Sequence, residues 1–209
     1  MGRRGRRTTG CQDPEQAEQA DETRTALGAA ARQLFTERGY AATSTTEIVE
    51  RAGVTRGALY HHFAAKEDLF RAVFEQLEDE VTKHVAKEAL TSADPLEQLR
   101  RGTRAYLDAC IDPAVQRVVL LEGPSVLGWQ TWQEIEQRYG YGLVVAGVEA
   151  AIGAGLIAAQ PVEPLAHVLF GALTEAGMVV ARADNPGVAR ADMEAAMDRL
   201  LDGLRAPKS

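Results

Sequence analysis

The residues best suited to chemistry lie together in one short stretch, GVTRGALYHHF, at positions 53–63. Its arginine, tyrosine and two histidines could hold a metal ion, form a catalytic pair or contact another molecule. Neighbouring helical residues point about 100° apart, so His61 and His62 cannot chelate one ion as residues at i and i+4 do. The other histidines, His84 and His167, have no carboxylate or thiol at ligand spacing. The sequence therefore predicts no metal site.

Catalysis is also disfavoured, because no Ser or Cys lies in a nucleophile-elbow motif. We expect neither enzyme activity nor a cofactor. Two cysteines, Cys11 and Cys110, make no disulfide framework, and the N-terminus does not resemble a secretory signal. The longest apolar stretch begins at Leu143 and contains Glu149 and several glycines, so we expect no membrane span and a cytoplasmic protein.

Charge is distributed unevenly along the 209 residues, whose formal net charge is −7. Residues 1–66 carry 10 Lys and Arg against 8 Asp and Glu, whereas residues 67–209 carry 13 against 22. The positive end contains the stretch described above, which points mildly to an anionic partner. Four of the ten positive charges lie between Arg3 and Arg7, in a tail more typical of solvated disorder than of a binding arm.

Helical geometry separates the residues of this stretch into two faces. If Leu59 lies at 0°, Phe63 lies at 40°, while Tyr60, Gly57 and His61 lie near 100°, 160° and 200°. The apolar pair would anchor the helix and the polar residues would be displayed. Glycine is unfavourable inside a helix, but its missing side chain lets another backbone approach closely. This favours a surface that contacts another molecule, although two histidines with no role remain the alternative.

The flanking sequence supplies the elements that must position this surface. An apolar stripe predicts a helix from Asp21 to Gly39. Ser44-Thr45-Thr46-Glu47 is a capping box that starts a short second helix, which Gly53 ends. Thr55 is a good cap for the third helix. Three short helices with a tight turn between the last two predict a helix-turn-helix motif at about 44–63.

The rest of the chain also follows helical periodicity. A long helix is predicted from Lys66 to about Leu90, and no segment shows the alternation of a strand, so the expected fold class is all-α. Further helices are predicted at about 95–111, 113–122, 129–153, 164–184 and 187–205.

The run from Arg24 to Phe70 resembles the N-terminal DNA-binding domain of TetR-family transcriptional regulators. The matching residues are Leu27, Ala30, Ala31, Leu34, Phe35, Gly39, Thr43, Thr45, Ile48, Ala52-Gly53-Val54, Gly57, Leu59-Tyr60, His62-Phe63, Lys66-Glu67 and Leu69. The resemblance covers the first third of the chain. One departure is Ala65, a weak cap where the family often has Ser, Asn or Gly, and it makes the start of the fourth helix less secure.

This resemblance implies that the third helix enters the major groove of an operator in double-stranded DNA. The residues that would face DNA are Thr55, Arg56, Gly57, Tyr60 and His61, with Thr45, His62 and Lys66 near phosphates. The chemistry agrees, because arginine pairs with guanine or phosphate and hydroxyls donate to phosphate oxygens.

The implied organisation has three parts. Residues 1–20 would be a disordered polar tail, residues 21–68 the DNA-binding domain, and residues 69–206 a helical ligand-binding and dimerisation domain. The helix from Pro164 is apolar almost all round and the last helix carries an apolar stripe. Both could pair in a homodimer, as the resemblance implies, or fill the core of a single chain.

An unknown small-molecule inducer would occupy the second domain. The candidate pocket residues are Tyr106, Cys110, Trp129, Trp132, Tyr139, Glu149, Phe170, Glu175 and Met178, although such an aromatic cluster is more often plain core. Glu149 and Glu175 lie in strongly apolar sequence, so we expect buried carboxylates paired with Arg104 or Arg182, or with a ligand.

The sequence therefore predicts a ligand-responsive repressor. A homodimer would bind a palindromic operator and be released by a small molecule in the C-terminal domain. The alternatives are a helical small-molecule-binding protein and an adaptor, both without DNA-binding activity.

Overall fold

Ten α-helices and two π-helical segments form the part of the chain described by the computed structural model, residues 14–206. The α-helices are α1 Pro14–Arg38, α2 Thr45–Ala52, α3 Arg56–His62, α4 Lys66–Ala89, α5 Pro95–Ala109, α6 Gly123–Val126, α7 Trp129–Glu136, α8 Gly142–Gly153, α9 Val162–Arg182 and α10 Pro186–Gly203. The π-helical segments are Val115–Glu122 and Gln137–Tyr141. Within these residues the only extended pairing is one bridge between Ile157 and Arg205. The predicted all-α class is confirmed.

Several helix bounds differ from those expected. Helix α1 begins at Pro14 rather than Asp21, so residues 14–20 of the predicted tail are helical. Proline suits a first helical turn and Ala, Glu and Gln are strong helix formers, but these residues lack the apolar stripe that marked the rest of α1. Residues 1–13, including the Arg3–Arg7 cluster, lie outside the described residues. The expected helix at 129–153 is divided into α7 and α8 by the second π-helical segment.

One continuous hydrophobic core joins the helix-turn-helix to the larger helical part. It contains Leu27 of α1, Ile48 of α2, Leu59 of α3, Phe70 and Phe74 of α4, Val118 of the first π-helical segment, Trp132 of α7 and Val180 of α9. A second cluster, with Leu96, Val148, Leu169, Met197 and Leu201, lies between α5, α8, α9 and α10. Because α4 belongs to the first core along much of its length, it connects the two parts mechanically.

The turn between α1 and α2, residues 39–44, is held by Lys66 at the start of α4; we call this turn the corner. The Lys66 ammonium donates to the carbonyl oxygens of Tyr40, at 2.8 Å, and Thr43, at 2.9 Å. It also lies 4.0 Å from the centroid of the Tyr40 ring. That ring packs against Phe35 and Phe70, with centroid distances of 5.8 and 5.3 Å. The corner is therefore fixed both by packing and by charge-assisted hydrogen bonds.

The start of α4 does not depend on Ala65 as a cap. The Asp68 carboxylate accepts from the Ala65 amide at 2.9 Å, and Lys66 anchors the first turn to the corner. These contacts hold the start of α4 in place of a capping side chain. The hydrogen bonds to the corner occupy two of the three N–H donors of Lys66, so the main role of Lys66 in the fold is internal. Its contact with phosphate stays a prediction.

A second contact fixes the corner from the other side. The Tyr40 amide donates to Oε2 of Glu122, the last residue of the first π-helical segment, at 2.7 Å. Gly39 has φ +83°, and a side chain there would collide with the Glu122 carboxylate. Nearby, the Arg117 guanidinium donates to the carbonyl oxygen of Glu37 at 2.9 Å. The corner is thus tied to a segment more than seventy residues further along the chain.

Helix α9 is the one described helix that is long and apolar enough to cross a membrane. The stretch from Leu143, considered above, does not meet this test. Core helices of water-soluble proteins often pass it, so the finding is weak evidence for a span.

Replacing Lys66 with methionine should lower the free energy of unfolding by about 2–4 kcal/mol, because two charge-assisted hydrogen bonds to carbonyl oxygens are lost. The matched control is Lys83→Met, since Lys83 is exposed and, within residues 14–206, forms an ion pair only with Asp79 one turn away. That change should leave stability nearly unchanged. Urea unfolding of the three proteins measures the difference, and equal losses in both variants would refute the anchoring role of Lys66.

Candidate DNA-binding surface and ligand cavity

Helix α3 is held from behind by two buried side chains. Leu59 and Phe63 are 0% and 5% exposed and belong to the core shared with α1 and α4. Gly53, at φ +67°, ends α2, and the Thr55 hydroxyl accepts from the Ala58 amide at 3.2 Å to start α3. The two faces derived from helical geometry are therefore the faces found in the structure.

The opposite face of α3 is open to solvent. Thr55, Arg56, Gly57 and His61 are exposed, and Tyr60 is 45% exposed. A side-chain carbon added at Gly57 would meet no atom closer than 3.8 Å, so crowding inside the chain does not require glycine there. The absence of a side chain instead leaves room for another molecule against the helix backbone.

Polar groups on this face are linked to each other. The Arg56 guanidinium carbon lies 5.6 Å from the centroid of the Tyr60 ring. The neighbouring Arg56 side chain and, secondarily, the Thr45 hydroxyl lower the pKa of the Tyr60 hydroxyl. Thr45 and His62 are half-buried at the edge of the face. Thr45 of α2 therefore lies close to Tyr60 of α3. Guanidinium and hydroxyl groups like those on this face can bond to phosphate oxygens or base edges, and the contact of these residues with DNA stays a prediction.

A cavity of about 230 Å³ lies in the larger helical part, between α4, α5, α8, α9 and α10, with α7 and the second π-helical segment contributing one lining residue each. Most of its lining is apolar, with Val81, Leu99, Val144 and Leu173 among the contributing residues. A largely apolar cavity with a few polar groups is the usual form of a small-molecule site.

Only two of the predicted pocket residues, Tyr106 and Phe170, line this cavity. Cys110, Trp132 and Met178 are buried in the first core and do not reach it. The indole N–H of Trp132 donates to the Val119 carbonyl at 3.0 Å. These three residues are packing residues, which was the alternative reading of the aromatic cluster.

The remaining pocket candidates do not line the cavity. Trp129 is 60% exposed, and Tyr139 is half-buried against the first core. Glu149 and Glu175 are exposed, so the expectation of buried carboxylates at these positions is wrong. Both residues lie on the outer faces of helices whose inner faces are apolar, and the apolar composition of the sequence around them concealed this.

Arg104 does not pair with either of these glutamates. Its guanidinium instead forms ion pairs with Glu97 of the same helix and with Glu194 and Asp198, and the latter two connect α5 to α10. Arg182, the other expected partner, is exposed at the end of α9.

The buried carboxylates are Glu78 of α4 and Glu136 of α7, neither of which was expected from the sequence. They are 8% and 6% exposed and both line the cavity. Burial raises the pKa of Glu136 to about 7. Burial, and then the charge and hydrogen bond of Glu136, raise the pKa of Glu78 well above its usual value. The pair therefore retains a proton near neutral pH.

The sequence contains a pattern that indicates burial of both Glu78 and Glu136. Glu78 lies four residues after Phe74 and three before Val81, on the apolar stripe of α4, and Glu136 lies four residues after Trp132. A carboxylate that lies on the apolar stripe of an amphipathic helix is expected to be buried. A carboxylate that merely lies in an apolar stretch of sequence can still face solvent.

The Tyr106 hydroxyl completes the polar groups near the pair. Burial raises the pKa of this hydroxyl well above its usual value. It has no oxygen or nitrogen hydrogen-bond partner among the described residues, and the nearby Cys110 thiol is at most a weak one. Tyr106 also lines the cavity. A buried hydroxyl without a partner is unfavourable and can be satisfied by a bound molecule.

Two family models match the chain over these same two parts. Residues 27–73 match the model for bacterial regulatory proteins of the tetR family, and residues 96–204 match the tetracyclin repressor-like C-terminal domain. The chain belongs to the TetR family. The resemblance inferred from the helix-turn-helix is therefore confirmed, and it extends over the second domain.

Individual relatives agree with this assignment. The TetC protein of transposon Tn10 from Escherichia coli is 33% identical over 158 residues, which cover 75% of this chain and 79% of TetC. The transcriptional activator FasR of Mycolicibacterium smegmatis is 38% identical over 88 residues, but these cover only 42% of this chain and 40% of FasR. The crystal structure of a TetR-family regulator from Pectobacterium atrosepticum superposes with a TM-score of 0.82 at 34% identity, covering 92% of this chain and 98% of that one.

We expect Arg56→Ala to weaken binding to a DNA fragment selected from random duplexes by about tenfold or more, because a guanidinium contact to base or phosphate is lost. Arg101→Ala removes the same charge from α5, where Arg101 bonds to Glu97 and Thr91, and should not change affinity. Fluorescence anisotropy at fixed salt measures both. Unchanged affinity in Arg56→Ala would contradict the proposed orientation of α3 on DNA.

Proposed function

We propose that the protein is a dimeric transcriptional repressor that leaves its operator when a small molecule occupies the cavity. The observation that carries this proposal is the outward face of α3. Three residues separate the end of this helix from Lys66, which holds the corner that Glu122 ties to the larger helical part. The name of the matched C-terminal model, a repressor-like domain, supports the negative sign of regulation.

Uncovered apolar residues on α9 and α10 support pairing of two copies. Val168 and Val179 of α9 are 68% and 37% exposed, and Val188 and Leu200 of α10 are 57% and 53% exposed. Eight positions of α9 are exposed. Six of them, at 164, 168, 171, 175, 179 and 182, recur at helical spacing and form one stripe, and positions 163 and 167 flank it. Burial of this stripe against a second chain would remove apolar area from water. Glu175 would then lie within the interface rather than in a ligand pocket.

Specific binding to DNA also favours a dimer. One seven-residue recognition helix contacts few base pairs. Two such helices related by a twofold axis and separated by about 34–36 Å read both halves of a palindrome. The residues that we assign to this contact are Thr45, Thr55, Arg56, Gly57, Tyr60, His61 and His62, with Lys66 contributing at most one remaining donor.

The effect of a bound ligand on DNA binding would be transmitted through α4 and the first π-helical segment. Helix α4 begins beside α3 at Lys66 and carries Glu78 into the cavity wall. The π-helical segment packs on α4 and α9 and ends at Glu122, on the corner. A ligand that shifts α4 would therefore change the separation of the two recognition helices. Its effect is limited by its preference for the non-binding form, typically about 1–3 kcal/mol.

Selection from random duplexes tests both the DNA contact and the pairing. The full chain should enrich a twofold-symmetric consensus with half-sites about 10 base pairs apart. Val168→Glu places a charge on the α9 stripe, so this variant should be monomeric in light scattering and should lose the symmetric consensus. The control Ile111→Glu changes an exposed apolar residue outside α9 and α10 and should remain dimeric. A monomeric parent protein, or enrichment of no symmetric site, would overturn the proposal.

A further inference from the structure

The cavity combines an apolar wall with a concentrated negative group. Glu78 and Glu136 are both more than nine-tenths buried, and they line the cavity from α4 and α7. Among the described residues no Lys, Arg or His lines the cavity, and no basic side chain contributes to the pKa of either carboxyl group. A buried carboxylate without a cationic partner is costly, so this site leaves a charge uncompensated.

The groups around the pair cannot supply the missing positive charge. Of the residues that the structure describes, Tyr106, Cys110 and Tyr139 are the titratable groups that interact with the pair. Burial raises the pKa of all three, so each is neutral near pH 7. The Tyr106 hydroxyl also lacks an oxygen or nitrogen hydrogen-bond partner among the described residues. A ligand with a positive charge would compensate the carboxylate. The same ligand could donate a hydrogen bond to the Tyr106 hydroxyl or accept one from it.

The pair holds about one negative charge when one of its two protons has dissociated, which matches a monovalent cation. Two carboxylates fall short of the donor set of a metal site, and no cluster of three or more metal-ligating side chains occurs in the described part of the chain. The remaining lining is apolar, and the aromatic rings of Tyr106 and Phe170 belong to it. Apolar walls and aromatic faces suit the body of an organic molecule and also attract a cation.

The size of the cavity limits the ligand further. Its volume of about 230 Å³ is below the range of about 300–1,000 Å³ that is usual for small-molecule sites. The site therefore suits a compact molecule with one charged end and one apolar end.

We propose that the ligand of this regulator is a compact organic monocation, such as an aliphatic or arylalkyl amine, whose charged nitrogen binds between Glu78 and Glu136. This proposal rests on the proposed function for its regulatory meaning. The binding site itself is defined independently by the buried pair and the cavity.

Three probes of similar shape and different charge test the site with the full-length protein. Phenethylamine is a cation at neutral pH, phenethyl alcohol is neutral and phenylacetate is an anion. By isothermal titration calorimetry the amine should bind about tenfold or more tightly than the alcohol, and the anion should not bind. Equal affinity for amine and alcohol, or no binding of the amine, would overturn the proposal.

The role of the carboxylates is tested by Glu78→Gln/Glu136→Gln, which keeps the shapes of the side chains and removes both charges. In this variant the amine should bind only as tightly as the alcohol, whose affinity should not change. Glu134→Gln, an exposed position on the same helix, is the matched control and should keep the preference for the amine. If the double variant fails to fold, the comparison of probes with the parent protein still decides the matter.

The pH dependence provides a second signature. The free pair retains protons up to about pH 7 because its pKa values are raised, whereas a bound cation favours the ionised form. Binding of the amine should therefore release protons and become tighter from about pH 5 to about pH 8, since the amine itself stays charged in this range. Affinity that does not change with pH would contradict binding between the carboxylates.

Dissociation from a selected DNA fragment is measured separately with the same probes. If the amine binds through the two glutamates but does not weaken DNA binding, the cation site stands and the proposed ligand-controlled release fails. If the alcohol releases DNA as well as the amine does, the release mechanism stands and the cation preference fails.

Discussion

The structure depends on how one turn, the corner between α1 and α2, is held from two sides. The Lys66 ammonium donates to two of its carbonyl oxygens, and the Glu122 carboxylate accepts from the Tyr40 amide at 2.7 Å. Backbone groups in a turn have no partners within a helix, so these two charged side chains supply the partners. Because Lys66 starts α4 and Glu122 ends a π-helical segment, the helix-turn-helix takes its orientation from the rest of the chain. The corner is therefore the natural point at which one domain can influence the other.

The helix-turn-helix and the cavity share structural elements. Helix α4 carries Lys66 at its first residue and Glu78 about three turns later, where it meets the cavity. The continuous core around Phe70 and Phe74 makes it difficult for α4 to move without repacking both regions. Interfaces of this kind change between discrete arrangements rather than deform gradually, which suits a switch.

The sequence predicted the local features well and the long-range ones poorly. The capping box at Ser44, the cap at Thr55 and the inward direction of Leu59 follow from short-range spacing, and all are present. The tie from Glu122 to Tyr40 spans 82 residues, and no local pattern indicates it. The position of the cavity does not follow from composition for a related reason. Glu149 and Glu175 lie in apolar sequence but are exposed, whereas Glu78 lies on the apolar stripe of its helix and is buried.

Hydrogen exchange at the Tyr40 amide tests the role of the corner most directly. In the parent protein this amide should exchange slowly, because its acceptor is the Glu122 carboxylate. In Glu122→Ala it should exchange about tenfold faster or more, with amides of α2 and α3 following and those of α10 unaffected. Glu134→Ala, which removes an exposed carboxylate from α7, should leave all of these rates unchanged. Equal exchange of Tyr40 in the parent and Glu122→Ala proteins would contradict the account.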